Sequence, residues 1–171
     1  CKVIATGEIQ QTVRPVAIGS LEALEMANEF SGTGLALRKI DQVAESSGDP
    51  GVLEVVDTGQ LPPGNVTLGE ATAVSGKAQL AWIVEADQIC RSGEADGLVM
   101  GVINTTALEM AGGWEQIEKL VEPTPFQSYL LVITGPLRVM HLVHHRHVRE
   151  VCDLISKELV LDALQMTHNS F

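Results

Sequence analysis

Four of the five histidines, His141, His144, His145 and His147, fall within one seven-residue stretch. Imidazole is a common metal ligand and titrates close to neutral pH. The run closes a predicted strand and enters a loop, which is where α/β proteins place ligands. On an extended chain His145 and His147 share a face while His144 points the opposite way, so only one or two of them reach the same ion. No nearby acidic or cysteine pair completes a coordination set. The same residues, with Arg146 and Arg149 among them, also read as a solvated basic loop.

Three further stretches carry residue types able to do chemistry. Gly112-Gly113 would let backbone approach an anionic group, but GxGxxG and GxxxxGK spacings are absent and a helix C-cap explains the pair. Asn104, Thr105 and Thr106 follow an apolar run, where they either cap the next helix or hydrogen-bond a ligand. Ser75-Gly76-Lys77 does not resemble a nucleophile elbow, and Ser75 reads as an N-cap. Cys90 and Cys152 fall on apolar helix faces, which predicts core positions.

The elements that must position these residues are legible from periodicity and breakers. Residues 14–20 read as a strand and turn, followed by a helix from Leu21 to Phe30 with Ser20 as its N-cap. The β-branched content of Leu35 to Ile40 and of Val52 to Val56 predicts two more strands, joined by the loop 46–51. Gly59, Pro62, Pro63, Gly64 and Gly69 make 57–75 a loop. A helix with one buried face is expected from Ser75 to Ser92, ending at Gly93. Gly97 to Ile103 is almost wholly apolar, as in a central strand covered on both faces. A helix follows from about Thr105 to Met110.

Strands at 128–133 and 137–143 flank Thr134-Gly135-Pro136 as a hairpin, and helices at 148–156 and 158–167 finish the chain. Alternating strands and helices predict an α/β fold with a largely parallel sheet flanked by helices and an antiparallel hairpin. The hairpin would expose a strand edge for a partner to cover, which makes oligomerisation an expectation.

A chain of 171 residues suits a single α/β domain. Twenty-two acidic against eleven basic residues give a net charge of −11, which repels nucleic-acid phosphates and anionic lipid headgroups. No apolar run approaches the roughly 20 residues that span a bilayer. Cys1, Cys90 and Cys152 are odd in number and lack a CxxC pair, so neither a disulfide framework nor a zinc ribbon is indicated and a reducing cytoplasm is expected. Cys1 stands where an initiator Met would be, without a basic-then-apolar leader, and this suggests a chain cut from a longer one.

Two stretches resemble the 4-hydroxythreonine-4-phosphate dehydrogenase family, of the isocitrate and isopropylmalate dehydrogenase-like fold group. The first runs from Ser75-Gly76-Lys77-Ala78 through Gly93-Glu94-Ala95-Asp96-Gly97-Leu98-Val99 to Val102-Ile103-Asn104-Thr105-Thr106-Ala107-Leu108-Glu109-Met110-Ala111-Gly112. It is similar to the family's helix, strand and "INKxALxxAG" signature in the same order. The second comprises Gly135-Pro136-Leu137-Arg138-Val139, Val143-His144-His145 and Val148-Arg149-Glu150-Val151. It resembles the family's strand and Thr-Thr-His-hydrophobic-Pro-Leu-Arg motif. Arg14-Pro15-Val16-Ala17-Ile18-Gly19 matches an early strand.

The resemblance implies a cytoplasmic homodimer that oxidises a phosphorylated hydroxy acid with NAD and then decarboxylates it, in pyridoxal phosphate biosynthesis. A divalent metal, Zn, Mg, Mn or Co, would polarise the alcohol and the developing carbonyl. It places His145 on the family's metal-binding histidine, and Asn104 and Thr105 in the substrate-binding signature. It also implies that residues 1–171 form the central part of a longer polypeptide whose remainder carries the other two metal histidines and the NAD contacts. The departures are specific. Thr105 stands where the family has lysine, Val102 where it has proline, and Gly113-Trp114-Glu115-Gln116 where it has Gly-His-Thr-Glu. His144 replaces a threonine and His147 a proline. These changes leave open a second class, a non-catalytic paralogue or fragment serving as a ligand-binding or interaction module. An acyltransferase of the same fold group has no supporting motif.

Overall fold

The structure, a computed structural model, describes residues 1–113, 129–143 and 147–170. They fall into two units, divided between residues 113 and 129. In the first unit a short helix, α1 (Lys2–Ala5), and a 3-10 turn (Ile9–Gln11) precede β1 (Val16–Ile18), α2 (Leu21–Ser31), β2 (Ala36–Ile40) and β3 (Val52–Val56). Two helices follow, α3 (Ala73–Ser92) and α4 (Thr105–Met110). The strands form a parallel sheet in the order β1-β3-β2, with Glu54 opposite Val16 and Arg38, and Val56 opposite Ile18 and Ile40. This is the expected α/β arrangement.

The sheet's order follows from what each strand can bury. Leu53, Glu54, Val55 and Val56 are all buried, so β3 takes the middle. Leu35, Leu53 and Val55 form a core packed by Ile4, Ala17, Leu21, Leu24 and Leu37. The turn from β1 into α2 is held by two side chains. Ser20 Oγ accepts from the Ala23 amide at 3.2 Å, as predicted, and Asp57 Oδ2, just past β3, accepts from the Leu21 amide at 2.7 Å. Two orphan amides of the first helical turn are thereby satisfied by oxygens, one of them charged.

At the other end α2 stops at Gly32, whose φ of 62° is left-handed and favours glycine. The Asn28 side chain then bridges to β2: its Nδ2 donates to the Leu35 carbonyl at 2.8 Å and its Oδ1 accepts from the Leu35 amide at 3.0 Å.

Glu54 is 2% exposed, a carboxylate in the middle of the sheet. Ser46 Oγ and Arg38 donate to it, as do the amides of Ser47 at 3.0 Å and Gly48 at 3.3 Å. Burial pushes its pKa up, but the hydrogen bonds from Ser46, the Ser47 amide, Arg38 and the Gly48 amide outweigh burial and hold it down at about 2. Arg38 also pairs with Asp49 at 3.0 Å. One carboxylate thus ties β3 to β2 and to the loop between them.

In the second unit β4 (Leu130–Thr134) and β5 (Leu137–His141) form the expected antiparallel hairpin, with Leu130 opposite His141 and Thr134 opposite Leu137. Gly135, with a φ of 54°, precedes Pro136, the sign pattern of a type II′ turn. Two helices follow, α5 (Val148–Leu154) and α6 (Lys157–Ser170). Tyr129 donates to Asp162 Oδ2 at 2.7 Å and so ties the start of the hairpin to α6. Among the described residues no helix is long and apolar enough to cross a membrane.

Three local expectations fail. Gly97 to Ile103 is not a covered strand: among the described residues it joins no ladder, and Leu98, Val99, Met100 and Val102 are exposed. Apolar composition expresses a need for burial, whereas a strand exists only where another strand pairs with it. The long helix starts at Ala73, earlier than expected, because Thr72 is its N-cap and Ser75 the third residue of a capping box, with Ser75 N to Thr72 Oγ1 at 3.1 Å and Thr72 N to Ser75 Oγ at 3.3 Å. Cys152 is exposed, because α5 buries none of its residues, and Cys90 is half-buried.

Glu54→Gln removes the charge while nearly keeping the shape. Because the folded pKa lies below the unfolded one, the carboxylate's contribution is present above about pH 4.5 and is lost as pH falls towards about 2. Denaturant unfolding at pH 7 is expected to show the variant about 3 kcal/mol less stable. At pH 2 the two proteins should converge, and a constant difference across the range would contradict this account.

Candidate functional site

The stretch from Thr72 to Gly113 is built around one close helix crossing. A Cβ placed on Gly76 would lie 1.9 Å from the Ala107 carbonyl oxygen and 2.4 Å from its carbon, so α3 and α4 touch backbone to backbone at this point. One and two turns further along α3, Leu80 packs on the fully buried Leu108, with Ile83, Val84 and Ile103 around them. Gln79 Oε1 accepts from the Asn104 amide at 2.9 Å, fixing the residue that opens α4. Asn104 Oδ1 in turn accepts from the Ala107 amide at 3.0 Å. Asn104 is therefore the N-cap, one of its two anticipated roles. Thr105 and Thr106 are exposed on the first turn beside it.

α4 closes as its glycines suggest. Gly112, with a φ of 66°, donates to the Glu109 carbonyl and Gly113 donates to the Leu108 carbonyl, each at 2.9 Å. The pair serves as a helix C-cap. Gly113 is also packed tightly, since a Cβ there would lie 3.3 Å from the Leu108 side chain.

The histidines belong to the second unit. His141 ends β5 and is half-buried; His147 is exposed and precedes α5, with its amide donating to Glu150 Oε2 at 3.3 Å. His144 and His145 lie outside the described residues. Among the described residues no three His, Cys, Asp or Glu side chains come together in a way that would hold a metal ion.

The sequence pattern missed two positioning residues, Gly76 and Gln79. Their signal was present: Gly76, Gln79, Leu80 and Ile83 recur at three- and four-residue spacing, which puts a gap, a polar hook and two apolar groups on one helix face.

Comparison with known proteins places this geometry. Residues 11–171 match the family model described as pyridoxal phosphate biosynthetic protein PdxA. The chain belongs to the PdxA family. A Novosphingobium aromaticivorans protein provisionally named 4-hydroxythreonine-4-phosphate dehydrogenase is 38% identical over 169 residues, 99% of this chain and 50% of the relative. A Cupriavidus necator protein named D-threonate 4-phosphate dehydrogenase is 28% identical, over 99% of this chain and 51% of its own. The crystal structure of a Burkholderia phymatum 4-hydroxythreonine-4-phosphate dehydrogenase superposes with a TM-score of 0.83 at 25% identity, covering 96% of this chain and 50% of that one. The chain spans about half the length of the PdxA-family relatives it matches.

Gly76→Ala is expected to cost at least about 2 kcal/mol, because a methyl group there must push two backbones apart. Amide exchange at Ala107 and Leu108 should speed up more than exchange in β3. Unchanged stability and exchange would contradict the crossing described above.

Proposed function

We propose that this chain is part of a PdxA-type dehydrogenase acting on a small phosphorylated hydroxy acid, with NAD as the hydride acceptor and a divalent metal ion. The observation that carries the reading is the match, along nearly the whole chain and in both sequence and fold, to proteins named as dehydrogenases of 4-phosphorylated hydroxy acids. In this reading residues 1–171 correspond to the central part of a longer, cytoplasmic, homodimeric enzyme. Asn104 and Thr105 face the substrate. The capping geometry supports that role, since Gln79 and the Gly76 crossing hold this turn firmly while leaving both residues exposed.

His145 contributes one ligand to the metal. In this reading the remaining ligands come from elsewhere in the polypeptide. Thr105 supplies a hydroxyl where the resembling family has a lysine, which favours a second reading, a fold-mate that binds such acids without oxidising them. A threonine hydroxyl hydrogen-bonds an anion but does not neutralise it.

The longest native polypeptide containing this chain, titrated with Zn2+ and Mn2+, tests the metal. At metal concentrations about 100 times Kd the wild type should gain about 2.7 kcal/mol of stability, and His145→Ala should lose that gain. NADH formation from 4-phosphohydroxythreonine or 4-phospho-D-threonate tests the reaction. Equal metal stabilisation of wild type and variant would remove His145 from the site. Metal binding without NADH formation would select the non-oxidising reading.

A further inference from the structure

We draw no further inference here: the strongest candidate, the open cleft of about 560 Å3 between α2 and β2 in the first unit, carries nothing, because its charged lining is only the pair Glu25 and Glu29, the Asn28 side chain beside them is already bonded to Leu35, and nothing in the structure shows what would occupy it.

Discussion

The absence of a side chain at residue 76 allows α3 and α4 to meet at backbone distance, and the order of the stretch 72–113 depends on that contact. With the two helices this close, Leu80 reaches Leu108 and buries it completely. Gln79, on the adjoining part of the same face, is then near enough to hold the Asn104 amide. Asn104 in turn caps the helix whose start presents Thr105 and Thr106. A rigid platform under an exposed polar turn is what a binding residue requires, because supporting contacts rather than the residue itself set its position.

The sheet has its own organising group in Glu54. A carboxylate in the middle of a strand is costly unless it is fully hydrogen-bonded, and here three side chains, Arg38, Ser46 and Ser47, and two loop amides meet that requirement. The loop 46–49 folds over the sheet because its amides have this partner, and β2 keeps its register opposite β3 partly through Arg38. The same network that stabilises β3 therefore also shapes the connection beside it.

Much of this was legible in the sequence where local chemistry decides. Ser20, Gly93 and Gly135 mark ends and turns through effects confined to a few residues, and β3 is apolar except at Glu54 because both of its faces are covered. The PdxA-type signature was equally readable, since it lies in short contiguous motifs. What the sequence could not convey were relations between distant residues. Glu54 looks like a surface position until Ser46 and Arg38 fold around it. Thr72 and Ser75 are both good caps, and reciprocal hydrogen bonding decides between them. The run 97–103 has strand composition, but pairing belongs to the neighbour as much as to the run. His145 is marked by family resemblance, and it lies outside the described residues.

The Asn28 side chain, which donates to and accepts from Leu35, stands in for one rung of a strand ladder between a helix and a sheet. The same Oδ1 also accepts from the Thr33 hydroxyl, so residue 28 clasps both the turn 32–34 and the strand it leads into. Anchorage and connection share one side chain here, so a reporter loop grafted into that turn keeps the strand's phase only if Asn28 is left in place.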